Sequence, residues 1–163
     1  MTEVPTRIAQ LAAYWQSLGG GAAPDRDRLD PGAILALLPY LLIVEFEDNP
    51  FRVRYRLTGT KVDEMTGSNI TGRYLDEFAQ APYREVIEGI QRCYVSCRET
   101  GEAVIETYLW PNEGGLMRVV WMGLFPLRVN GEVRQCVSIE DYGELGPKPD
   151  LVKWQTALKK NDR

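Results

Sequence analysis

The chain has 163 residues, 44% of them hydrophobic, with a formal net charge of −4 and a sequence pI of about 5.0. That suits one domain with a real core, and its acidity argues against a nucleic-acid binder, which presents a basic face to displace counterions. Histidine is absent. This removes Ser-His-Asp and Cys-His nucleophile systems, His-ligated zinc or haem and a phospho-accepting histidine, and leaves carboxylate, tyrosine or lysine as any general base.

The opening "MTEVPTRIAQLAAYWQSLGGG" lacks the basic start and apolar run of a signal peptide. No run approaches the roughly 20 apolar residues of a spanning helix, so a cytoplasmic setting without membrane contact is expected. From Pro5 to Leu18, Ile8, Leu11, Ala12, Trp15 and Leu18 recur at helical spacing, and Gly19-Gly20-Gly21 ends the helix. "LDPGAILALLPYL" reads as a second, short helix: Asp30 caps it, Pro31 fits its first position and Pro39 stops it.

"YLLIVEFEDNPFRVRYRLTG" predicts a hairpin turning at Asp48-Asn49-Pro50. Its strands place Glu47 opposite Arg52, Glu45 opposite Arg54 and Ile43 opposite Arg56. The arginine row is then partly neutralised across the strands and is a poor phosphate patch. Three Thr-Gly pairs follow, at Thr58-Gly59, Thr66-Gly67 and Thr71-Gly72. They lack a Gly-Lys-Ser/Thr ending and are too widely spaced for one anion nest. Gly59 is read as letting the strand stop and turn, Gly67 as ending the short helix "KVDEM", and Gly72 as opening a turn before "RYLDEF".

"APYREVIEGIQRCYVSCRETG" is the longest helix signal, with Tyr83, Val86, Ile87, Ile90, Tyr94 and Cys97 in one stripe and Gly101 as its end. Cys93 and Cys97 share a helix face. With Cys136 they are too few for a disulfide framework and read as small core residues rather than a redox or metal site. Three strands follow: "EAVIETYLW", "LMRVVWMGLFPLRV" ending at the Asn130-Gly131 turn, and "EVRQCVSIEDY". The expected organisation is an N-terminal helical extension over 1–39, a domain over 40–143, and a linker and short tail over 144–163. Two strands, a helical stretch and three strands predict an α+β fold: a five-stranded antiparallel sheet with helices on one face.

Tyr14-Trp15, Asp30-Pro31, Leu38-Pro39, "FRVRYRLTGT", Gly67 and "TGRYLDEF" occur in an order and spacing that resembles the PAS domain, a sensor module of bacterial signalling proteins. The similarity runs from about Tyr14 to Tyr142 and is nearest to bacterial stand-alone PAS-like proteins. It implies a cavity between sheet and helices and a role in sensing a small-molecule ligand or in dimerisation rather than catalysis. A homodimer and a separate signalling protein as output partner are expected, since no effector module is legible. The cofactor is unknown. The Asn-Cys-Arg-Phe-like motif of flavin-binding relatives is replaced by "VDEMTGSNITG", and the axial histidine of haem-binding relatives is missing. Cys93, Cys97 or Met65 remain as chemically open haem ligands.

On this resemblance the ligand-facing candidates are Tyr55, Leu57, Met65, Phe78, Ile90, Val119 and Trp121. Arg118 alternates with the last two, so it is expected on the outer face with Val120 and Met122; turned inward, it is suited to a carboxylate or phosphate ligand. The N-terminal helix is expected to cover the outer sheet face through Ile8, Leu11 and Trp15 and to join a two-fold dimer. The alternatives are a ligand-free structural adaptor and a small isomerase or lyase using a buried carboxylate such as Glu106 or Asp63.

Overall fold

A computed structural model describes residues 3–111 and 116–143. The expected turn at 112–115 and the linker and tail at 144–163 lie outside the described residues. Helix α1 spans Thr6–Gly19 and ends where Gly20 turns left-handed (φ 65°) and donates its N–H to Gln16 at 2.8 Å. A 3-10 stretch, Pro31–Tyr40, begins with the Asp30 carboxylate accepting the Gly32 N–H at 2.9 Å. It continues through Pro39 to Tyr40 instead of stopping at the proline.

Strands β1 (Leu41–Glu47) and β2 (Arg52–Thr58) form the hairpin; α2 (Thr60–Thr66), a 3-10 turn (Leu75–Phe78) and α3 (Arg84–Thr100) follow. Strands β3 (Val104–Pro111), β4 (Met117–Val129) and β5 (Glu132–Asp141) complete an antiparallel sheet of order β2-β1-β5-β4-β3. Gly67 and Gly101 both take left-handed φ and close α2 and α3 as the glycine pattern predicted.

The hairpin register departs from prediction at one point. Glu47 opposes Arg52 and Glu45 opposes Arg54, but Val44 pairs with Tyr55 and Ile43 with Leu57, so Arg56 is bulged out. A bulge inserts one residue and reverses the facing of those beyond it. Leu57 therefore lies on the outer face, 50% exposed, instead of pointing inward. Two of the arginines are neutralised by partners other than those directly opposite. Arg52 makes two 2.7 Å bonds to Asp76, and Arg56 reaches Glu45 at 2.7 Å.

Two cores flank the sheet. Val44, Tyr55, Val120, Met122 and Leu124 face α2, the Leu75–Phe78 turn and α3. Ile43, Phe125, Leu127, Val137 and Ile139 face α1, with Ile8, Leu11 and Trp15 all buried against them. The N-terminal helix thus covers the outer face, as its stripe required. The extension also substitutes for β3. That strand's pairing with β4 stops at Val104–Leu124, and beyond it Arg128 donates its N–H to Pro24 at 2.8 Å beside an Asp25–Arg128 bridge.

Gly59 does more than end a strand. A Cβ there would stand 2.3 Å from the Leu38 carbonyl oxygen and 2.4 Å from that of Pro39. The backbone of the 3-10 stretch presses directly on it, which only glycine permits.

Candidate functional site: a tyrosine-lined cavity with one carboxylate

Directly opposed residues of an antiparallel sheet point to the same face. Glu106 opposes Met122, and Met122 opposes Glu140, so the three form one row across β3, β4 and β5 on the side facing α3. Beside this row lies an internal cavity of about 30 Å³, room for one or two water-sized groups. Its polar lining consists of Tyr55, Thr66, Tyr94, Tyr108 and Glu140; the rest is aliphatic or Phe78 and Met122.

The hydroxyls are organised around the strands. Tyr94 of α3 shares a 2.9 Å hydrogen bond with Ser138 of β5. Tyr142 donates to Glu140, and Tyr108 is also hydrogen-bonded to it. Thr66 donates to the Val62 carbonyl at 2.8 Å, closing the last turn of α2. Burial pushes the Tyr55, Tyr94, Tyr108 and Tyr142 phenols far above their usual range, and the Glu140 charge adds to the rise at each. The phenols stay protonated and serve as donors. Glu140 is thus the acceptor on which the Tyr142 and Tyr108 hydroxyls meet.

A groove of about 230 Å³ between α3 and β3 adjoins the cavity. Ile90, Tyr108 and Met122 belong to both linings, so these side chains are the partition between groove and interior. Gly89 keeps the helix side of the groove low, and Glu85 and Glu106 are the charged residues of its lining.

The candidate residues fall into two groups. Tyr55, Phe78 and Ile90 line the cavity; Met65 is buried in the same core but outside the lining. Leu57, Val119 and Trp121 do not face it. Val119 is 50% exposed on the outer face, and Trp121 packs toward the α1 core. Arg118 is the reverse correction: it is buried at 4% exposure on the inner side with Val120 and Met122, opposite Trp110. Desolvation lowers its pKa. Its outer neighbours Met117 and Val119 are apolar yet half exposed, so the usual rule that a charged residue marks the solvent side fails on this strand.

Tyr94, Tyr108, Glu140 and Tyr142 were missed as a group. Tyr94 is visible in the helical stripe, but Glu140 is the penultimate residue of β5, whose more apolar residues Val137 and Ile139 belong to the opposite core. Among the cysteines, Cys97 contacts Cys136 sulfur-to-sulfur at 3.8 Å, both fully buried, while Cys93 lies in the groove. No cluster of three metal-ligating side chains occurs among the described residues. Asp63 accepts from the Thr58 hydroxyl at 2.5 Å and the Asn69 amide at 3.2 Å, a loop brace, and Glu106 is exposed rather than buried.

A five-stranded antiparallel sheet with short helices and one long helix over an internal cavity is the architecture of a PAS-like fold. The sequence matches the PAS domain profile over residues 2–133, and the chain belongs to that family. Among solved structures it is similar to a light-oxygen-voltage domain from a study of a flavin analogue, with TM-score 0.50 and 17% identity over 80% of this chain and 91% of that one. It is also similar to VqmA bound to DPO, with TM-score 0.51 and 17% identity over 69% of this chain and 56% of that one. No curated protein sequence matches it significantly. A flavin does not fit this interior, whose cavity has room for only one or two water-sized groups.

Proposed function

We propose that this chain is a sensory PAS module that takes a small, polar-ended molecule into the cavity beside Glu140 and signals its occupancy to a separate protein. The observation that carries this reading is the convergence of Tyr55, Tyr94, Tyr108 and Glu140 on one internal space. Apolar walls with a few fixed polar groups are the character of a ligand site, whereas a purely structural core of this size is apolar and filled. The folds of VqmA bound to DPO and of the light-oxygen-voltage domain support it by likeness of architecture alone.

Signalling runs through a homodimer in this reading. Leu109 and Val119 oppose each other across β3 and β4 and are 53% and 50% exposed, with Met117 beside them at 54%. This outer-face patch flanks the surface that α1 covers, and a second copy buries it by two-fold symmetry. Among the described residues no helix is long and apolar enough to cross a membrane.

A ligand-free adaptor is the second reading, favoured by the small volume of the cavity. Native mass spectrometry and an absorption spectrum of freshly purified protein separate the two. A co-purifying small molecule, released by unfolding, supports sensing. A clean apo mass that no small molecule changes favours the adaptor.

A further inference from the structure

The geometry points to a short aliphatic diamine as the molecule this site takes, a step that rests on the sensory reading above and names its ligand class. Glu106 and Glu140 flank Met122 in one cross-strand row on the α3 side of the sheet. Neighbouring strands are about 4.8 Å apart, so the two backbone positions are roughly 10 Å apart. One carboxylate belongs to the internal cavity and the other to the α3–β3 groove. Between them the shared partition is Ile90, Tyr108 and Met122.

An acidic end, an apolar neck and a second acidic end are complementary to an ammonium, a short methylene chain and a second ammonium. At the inner end Glu140 accepts charge-assisted hydrogen bonds, in a lining it shares with Tyr55, Tyr94 and Tyr108. The cavity, with room for one or two water-sized groups, suits an ammonium head and excludes a bulky one. Occupancy requires the methylene chain to cross the partition at Ile90 and Met122, of which the unbranched Met122 side chain is the one that can re-pack. At the outer end Glu106 and Glu85 hold the second ammonium at the groove mouth. The same two carboxylates repel a ligand carrying a negative end, which separates diamines from amino acids and fatty acids.

Titration calorimetry of the full chain with putrescine, n-butylamine and 4-aminobutyrate tests this, with alkylation of Cys93, which lines the groove, as a second readout. Putrescine is expected to bind about fivefold more tightly than n-butylamine, the worth of one exposed ion pair. Binding of 4-aminobutyrate is expected to be undetectable, and saturating putrescine to slow Cys93 alkylation. Glu106→Gln, on an exposed edge-strand position, should remove most of the advantage of putrescine over n-butylamine, Glu85 keeping the remainder. Glu140→Gln should weaken both amines at least about tenfold. Gly89→Leu, which also improves helix propensity, should fill the groove and weaken both. Equal binding of putrescine and n-butylamine, indifferent to Glu106→Gln, overturns the diamine assignment. If no amine binds or protects Cys93 while a neutral or anionic molecule occupies the cavity, the amine class falls and the sensory reading stands. If nothing of any class binds, both fall together.

Discussion

The Trp15 indole N–H donates to the Pro126 carbonyl at 2.8 Å, deep beneath α1. Pro126 lies beyond the point where β3 stops pairing with β4, so the helix satisfies a carbonyl the sheet leaves over. Trp15 is 3% exposed and packs on Phe125 with ring centroids 6.0 Å apart. Truncation to alanine removes the ring and leaves that carbonyl unsatisfied. Trp15→Ala is expected to cost about 3–5 kcal/mol and Trp15→Phe about 1–3 kcal/mol, read by urea unfolding. A loss below about 1 kcal/mol for the alanine variant would mean that α1 is not part of the folded core.

Gly59 offers a second stability test with an internal control. Its Cβ position is blocked by two carbonyl oxygens within 2.4 Å, whereas that of Gly72 is open, with φ at 87°. Gly59→Ala must move the Pro31–Tyr40 stretch off the sheet and is expected to cost about 2–4 kcal/mol. Gly72→Ala meets only backbone strain, about 1–2 kcal/mol. The reverse ranking in denaturant midpoints would contradict the close approach described here.

The buried phenols set the alkaline limit of stability. Tyr55, Tyr94, Tyr108 and Tyr142 have folded pKa values raised above their ordinary 10.0. Below that value both states keep these protons and stability is independent of them. Above it the unfolded chain releases protons that the folded chain retains, so stability falls as pH rises. Circular dichroism and tyrosinate absorbance followed from pH 9 to 12 should show a shared cooperative step. Gradual tyrosinate formation from these four residues in a still-folded chain would show that they are wet.

The outer patch makes the homodimer testable without disturbing either core. Val119→Lys places a charge at a position already half exposed, so folding stability should change by less than about 0.5 kcal/mol. Light scattering should report the dimer converting to monomer. An unchanged dimer mass removes this face from the interface.

The sequence carried the order of elements and the α3 stripe because helical and strand periods are local signals. It carried the helix ends at Gly67 and Gly101 because left-handed caps demand glycine. It did not carry facing. Alternation separates Arg118, Val120 and Met122 from Val119 and Trp121, but nothing in the strand itself says which set meets α3. Both sets are apolar apart from Arg118: α1 covers the outer side at Trp121, while Met117 and Val119 stand exposed there. Leu57 was lost to the bulge at Arg56, which no composition signal marks. Glu140 of β5 meets Tyr94 of α3, Tyr108 of β3, Tyr55 of β2 and Tyr142 just past the end of β5. Their convergence exists only after the sheet order β2-β1-β5-β4-β3 is formed.

The central claim is that the interior beside Glu140, not the outer face, receives a small molecule. The most direct measurement is a titration of isoleucine methyl resonances in the full chain with a library of small amines, acids and neutral compounds. Ile70, Ile87 and Ile90 line the cavity, while Ile8, Ile34 and Ile139 belong to the opposite core. A bound compound is expected to shift the first three methyls and leave the second three in place. Shifts confined to Ile8, Ile34 and Ile139, or none across the library, would contradict it.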